Sequence, residues 1–190
     1  MVVDCGGGTA DLISYEVVTT TPMVVKECVK GQGMQRPITY FSIPFPRNWL
    51  TIHKPGGLCG AVFVDEAFID MLEQKFGADK WGKMKAESRQ NIIHKEWEHM
   101  IKQEFDGSED SWQIMMPFEC VSLNALRSGG PYPTISLNSN DVRGVFDPSV
   151  DKIRAMVNEQ VAGVRAKKGK DPKVRGTLLV FLRCHVRLTR

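Results

Sequence analysis

This chain has little of what marks an exported, anchored or nucleic-acid-binding protein. No signal peptide precedes its first motif, and no apolar run is long enough to span a bilayer. A cytoplasmic protein with no membrane partner is therefore expected. Charge of one sign is also missing: 25 basic residues against 22 acidic give a net charge of +3, so electrostatics makes no case for nucleic acid. The basic residues that do gather, from Arg165 to Lys170 and from Arg183 onward, suit a solvated helix end favoured by the helix dipole. The five cysteines (Cys5, Cys28, Cys59, Cys120, Cys184) are scattered and lack C-x-x-C spacing, which suits a reducing compartment better than a disulfide framework. The four histidines show no metal-ligand pattern. His94 and His99 are five apart, a spacing that does not share an α-helical face, and a zinc site is not expected.

Two familiar phosphate loops are missing as well. No G-x-x-x-x-G-K-[ST] run exists. The dinucleotide fingerprint needs a helix straight after its glycines, whereas here a β-branched and aromatic segment, Leu12-Ile13-Ser14-Tyr15-Glu16-Val17-Val18, follows them. What the first dozen residues hold instead is strand, glycine turn, strand. Val2-Val3 leads to Asp4, then Cys5, then Gly6-Gly7-Gly8, Thr9 and a second carboxylate at Asp11. Glycine reaches positive φ without strain and lets a ligand come close to the main chain. Successive N–H groups in such a turn form a concave anion site. The Thr9 hydroxyl adds a donor, and Asp4 is placed to hold a hydrated Mg²⁺, which favours one or two carboxylates with phosphate oxygens and water.

With 190 residues, 42% apolar and 25% charged, the chain suits one domain or two small lobes and can bury ~70% of its unfolded surface. Residues 1–30 read as three antiparallel strands with Thr19-Thr20-Thr21-Pro22 as the second turn. Residues 31–55 carry four prolines and no sustained period, and read as an insertion. A helix running to Phe76 follows Gly56-Gly57-Leu58-Cys59-Gly60, with Val64, Phe68, Met71, Leu72 and Phe76 as its stripe and Gly77 as its C-cap. Residues 80–105 read as a longer helix with Ile93, Trp97, Met100, Ile101 and Phe105 inward, and with Glu98 and Lys102 as an i, i+4 ion pair. Short strands are expected over 112–116 and 134–137. Ser139-Asn140-Asp141 is expected to cap a short helix ending at Phe146, and Asp147-Pro148 to start a second one. A last strand covers 176–180.

The run Asp4-Cys5-Gly6-Gly7-Gly8-Thr9-Ala10-Asp11 resembles the second phosphate motif of the actin-like ATPase superfamily, D-x-G-G-G-T-x-D. Within that superfamily it is most similar to the seventy-kilodalton heat-shock family, in the divergent branch of atypical twelve-type and fungal members. The run from Ser139 to Val161 resembles the segment that precedes this family's adenosine-binding loop. The resemblance implies an α/β fold: a ribonuclease H-like, actin-like ATPase lobe, with a mixed sheet, flanking helices and an inserted helical subdomain. The sheet part would be 1–30 plus 134–180, and the helical part 56–130. The resemblance also implies ATP or ADP with Mg²⁺ as ligands, held by Asp4, Gly6, Gly7, Gly8 and Thr9. Gly57 would approach the phosphates from the second lobe's side, and Glu98 and Lys102 would face the adenosine. Asp4 would position the metal and its water.

The chain also departs from that pattern. After Gly176-Thr177-Leu178-Leu179-Val180 the family's glycine turn is replaced by Phe181-Leu182-Arg183, and residues 181–190 read as an atypical tail. The lobe that would face this one, with its own phosphate loop, is not recognisable, so the chain reads as an incomplete lobe with little hydrolysis of its own. The missing lobe or a co-chaperone would be its partner. Two further function classes stand beside a nucleotide-binding heat-shock fragment: a small-molecule kinase or polyphosphatase of the same superfamily, and a non-catalytic interaction module.

Overall fold

A computed structural model describes residues 1–32, 59–169 and 178–181. The expected insertion, apart from its first two residues, and the tail beyond Phe181 lie outside the described residues, as does Gly57. The chain is mixed α/β and divides into two compact units. Unit 1 is Met1–Phe63 with Ser149–Leu182, and unit 2 centres on Val64–Pro148.

In unit 1, strand β1 (Val2–Cys5) is followed by the long hairpin of β2 (Ala10–Thr20) and β3 (Met23–Gln32). Strand β6 (Leu178–Phe181) lies parallel to β1, giving a four-stranded sheet of order β3-β2-β1-β6. Period-2 alternation does the sorting: Val3, Cys5, Ala10 and Leu12 point inward, while Asp4 and Asp11 point out. The buried side chains pack with Cys59, Ile153 and Met156. The far end of the hairpin carries no such core. Tyr15, Val17, Val18, Met23, Val24 and Val25 are all exposed there.

Residues 149–168 of the long helix supply unit 1 with Ile153, Met156 and Val164 on its buried side. Gln160 lies on the same helix and is fully buried. Its Oε1 accepts from the Ser14 hydroxyl at 3.1 Å, and its Nε2 donates to the Lys30 carbonyl at 2.9 Å. Both ends of the amide are thereby satisfied, which a buried polar group requires.

In unit 2, helix α1 (Ala61–Phe76, of which residues 64–76 belong here) buries Val64, Phe68, Leu72 and Phe76. Gly77 ends it with φ of +80°, a conformation that L side chains rarely adopt, and its N–H bonds the Glu73 carbonyl at 2.9 Å. The stretch expected as one α-helix over 80–105 is built differently. Helix α2 (Ala78–Lys83) stops at Met84. A new helical run begins as α3 (Ala86–Asn91), becomes a π-helix over Ile92–Ile101, and ends as α4 (Lys102–Glu104). Its buried positions are Ile92, Trp97 and Ile101, and Ile93 and Met100 are only half-buried. Steps of five and four residues fit the wider turn of a π-helix rather than 3.6 per turn. The core here is aromatic: Trp97 stacks on Phe68 at 4.1 Å between centroids, and Phe146 lies against both Trp97 and Phe105.

Strands β4 (Ser111–Met115) and β5 (Thr134–Asn138) form a separate antiparallel ribbon. β5 was expected to join the main sheet. It pairs instead with β4, with Leu137 opposite Trp112 and Ile135 opposite Ile114, because its buried Leu137 serves the unit 2 core.

After a short helix α5 (Leu123–Arg127), the two helices expected around Asp147-Pro148 are one, α6 (Ser139–Lys168), with Pro148 inside it. Its cap is Asn138, one residue earlier than expected. The Asn138 Oδ1 accepts the N–H groups of Asn140 and Asp141, and Asp141 returns a bond to the Asn138 N–H at 2.9 Å. That reciprocal pair is a capping box. Lys75 adds an ion pair to Asp141 at 2.9 Å. Burial works to raise the Asp141 pKa, but the Asn138 N–H and the Lys75 ammonium outweigh it and hold the carboxyl below its ordinary value.

Candidate functional site

The glycine turn closes with the Gly6 N–H donating to the Thr9 carbonyl at 2.8 Å. Strand pairing then sets Cys5 against Ala10 and Asp4 against Asp11. Gly7 is exposed, and Gly6, Gly8 and Thr9 are half-buried, so the turn lies at the surface of its unit.

Its glycines are not there for positive φ. Among the described residues, positive values occur at Gly77, Gly107, Gly129 and Gly169, and none of the three hairpin glycines has one. The expected backbone reason for glycine is thus not the operative one. Packing gives no reason at Gly7 either, since a Cβ there would meet nothing within 4 Å. What glycine provides at that position is open access to the main chain.

The other side of the turn is closely packed. The Gly6 and Gly7 carbonyls accept the N–H groups of Ala61 and Val62, at 3.2 and 2.7 Å, which satisfies two amides of the first turn of α1. Gly60 makes this approach possible: a Cβ on it would lie 2.6 Å from the Gly6 oxygen and from the Gly7 carbonyl carbon. With carbonyls turned to the helix, the Gly7 and Gly8 amides have no backbone acceptor among the described residues. The loop therefore sorts its polar groups, with acceptors committed inward and donors left available.

Asp4 and Asp11 are both exposed and directly opposite on neighbouring strands. Like charges so placed destabilise a sheet, and a cation between them would reverse that. The Thr9 hydroxyl reaches one Asp11 oxygen at 3.5 Å, a long contact. Beneath them Cys5 is buried, and burial, with the negative charge of Cys59, Asp4 and Asp11, pushes its thiol up to about 11. Burial raises Cys59 too. Burial thus disfavours the thiolate form at both positions.

Glu98 and Lys102 belong to unit 2, and they do not form the expected ion pair. The π-helical turn separates them. Lys102 Nζ bonds Asp65 Oδ1 at 2.6 Å, and the Trp97 indole N–H donates to the same oxygen at 2.7 Å. Asp65 thus ties α1 to the π-helix, and the half-buried Lys102 ammonium is committed within its own unit. Glu98 turns the other way and accepts from His94 Nδ1 at 3.1 Å. His94 and His99, expected to miss each other, meet with Nε2 atoms 3.2 Å apart. The sequence signal that was missed is the burial spacing Ile92, Trp97, Ile101, which carries the π-helical period.

Among the described residues, no group of three or more His, Cys, Asp or Glu side chains is placed to hold a metal ion, and no helix is long and apolar enough to cross a membrane. The chain matches no protein-family model and no curated protein.

Proposed function

We propose that the Asp4–Thr9 hairpin binds the polyphosphate end of a nucleotide with Mg²⁺, and that this chain is a nucleotide-binding piece of a heat-shock-type, actin-like ATPase. The observation that supports this most is the division of labour in the turn: carbonyls fastened to α1, amides of Gly7 and Gly8 left without a backbone acceptor, and open space where a Gly7 side chain would be. Phosphate oxygens are acceptors and need such donors. The Asp4–Asp11 pair fits a hydrated Mg²⁺, which takes one or two carboxylates and completes its shell with water and phosphate oxygen. The ion would supply charge neutralisation at the phosphates. The hairpin amides would orient the chain of phosphates, and Thr9 would add a hydroxyl donor.

Phosphoryl transfer depends on positioning and on charge stabilisation around the transferred group. The hairpin offers one wall of such a site, so binding with little or no turnover is the expected behaviour of these 190 residues. Titration of the chain with a fluorescent ATP analogue tests the reading. Saturable binding that needs Mg²⁺ is expected, weakened at least tenfold by Gly7→Val and by Asp4→Asn. Because a Cβ at position 7 would meet nothing within 4 Å among the described residues, Gly7→Val should leave the denaturant midpoint nearly unchanged. Equal affinity for wild type and Gly7→Val would overturn the assignment. Steady ATP hydrolysis that Gly7→Val abolishes would keep the site and overturn the expected inactivity. Preference for sugars or inorganic polyphosphate over ATP in the same titration would move the chain to the kinase or polyphosphatase class.

A further inference from the structure

On the exposed side of the π-helix, we infer that His94 and His99 form a two-nitrogen chelate for a divalent transition-metal ion of the Zn²⁺, Ni²⁺ or Cu²⁺ type, with Glu98 positioning the first imidazole. The inference does not depend on nucleotide binding. It starts from backbone geometry. On an α-helix, residues five apart are rotated well away from each other. The π-helix over Ile92–Ile101 has i→i+5 bonding, and it brings positions 94 and 99 into register. The rings meet edge to face at 4.4 Å between centroids, with the two Nε2 atoms 3.2 Å apart.

That separation is the one a metal asks for. Two imidazole nitrogens bound at ~2.0–2.1 Å, at square-planar to tetrahedral angles, lie about 2.8–3.4 Å from each other. The pair needs no rearrangement of the backbone to close on an ion.

The proton inventory also favours it. Glu98 Oε2 lies 3.1 Å from His94 Nδ1 and accepts its proton, which leaves the His94 Nε2 lone pair facing His99. A carboxylate on the far nitrogen of a ligating histidine fixes the tautomer and raises the basicity of the ligand. Without metal, His99 Nε2–H donates to that lone pair. With metal, the His99 proton moves to Nδ1 through water, so both Nε2 lone pairs reach the ion and no proton is lost overall.

The site faces solvent, with the His94 side chain 64% exposed, so an ion has a way in and water completes its shell. Two protein ligands are fewer than the four of a structural zinc site, consistent with a readily exchanging ion. Nitrogen donors select against Mg²⁺, which prefers oxygen, so Mg²⁺ would not compete for this pair.

Calorimetric titration of the full chain with Ni²⁺, and separately with Zn²⁺, tests the inference. One equivalent is expected to bind at this site, weakened at least tenfold by either His94→Asn or His99→Asn and about tenfold by Glu98→Gln. His185→Asn should leave that equivalent unchanged, and excess Mg²⁺ should not displace it. In the wild-type chain, paramagnetic Ni²⁺ should shift the imidazole proton resonances of His94 and His99 first, a reading that needs no variant to fold. Unchanged affinity in His94→Asn and His99→Asn, or Ni²⁺ that leaves those two resonances in place, would overturn it.

Discussion

The glycine hairpin of unit 1 and the π-helix of unit 2 handle their polar groups in opposite ways. At the hairpin, the carbonyls of Gly6 and Gly7 go to helix α1, and the Gly7 and Gly8 amides have no backbone acceptor among the described residues. Along the π-helix and just past it, polar tips answer one another: Trp97 and Lys102 share Asp65, and Glu98 holds His94, which meets His99. Among the described residues the first arrangement leaves donors unmatched, and the proposed phosphate would match them. The second matches donors with acceptors inside its own unit, and its solvent-facing histidine pair carries the proposed metal site. Donors left over in a surface turn point to a ligand more strongly than charged side chains that have already found one another.

The largest effect that separates the two regions should come from Trp97→Ala. It removes a fully buried ring stacked on Phe68 and strips Asp65 of one of its two donors. A loss of about 3–5 kcal/mol is expected in chemical denaturation, and a loss under 1 kcal/mol would mean that the π-helix is not anchored as described. Next comes Gly60→Ala. Its Cβ would press on backbone atoms of Gly6 and Gly7, which cannot swing aside as a side chain does. A cost of about 1–3 kcal/mol is expected. The contrast with position 7 is the sharper reading: the two glycines lie on opposite sides of one turn, and only the inner one is needed for packing. If both substitutions cost the same, the turn is not two-sided.

Much of the hairpin was legible from sequence because its signals are local. Alternation between inward Val3 and Cys5 and outward Asp4 follows from the strand period, and three adjacent glycines mark a turn. The stripe of α1 was legible for the same reason. Unit 2 hid its features where the local rule changes. An α-helical reading of 80–105 placed Glu98 beside Lys102 and kept His94 from His99, and one wider turn reverses both. Pro148 was read as a helix start because proline suits the first turn, yet α6 runs through it. The pairing of β5 with β4 joins segments some twenty residues apart, and no pattern within either strand names its partner.

The smallest expected effect sharpens the same comparison through pH. Asp141 is held below its ordinary pKa by the Asn138 N–H and Lys75, so its stabilising contribution is complete above the unfolded carboxylate value and fades as pH falls through the lower, folded one. Unfolding midpoints from pH 6 down to pH 3 should fall more steeply for wild type than for Asp141→Asn. The gap at pH 6 should be about 1 kcal/mol, the worth of one helix cap. Asp4 and Asp11 are exposed and directly opposite each other, so Asp4→Asn should not lower stability at pH 6 and should relieve like-charge repulsion instead.

Gln160 bears on which arrangement of unit 1 is permitted at all. Its amide reads two addresses at once, a hydroxyl on β2 and a carbonyl on β3. Were the helix to slip along the sheet by a single turn, ~5.4 Å, the buried Gln160 amide and the buried Ser14 hydroxyl would lose their partners together. Apolar side chains tolerate a sliding neighbour, whereas this one glutamine acts as a key that admits one alignment and refuses the next.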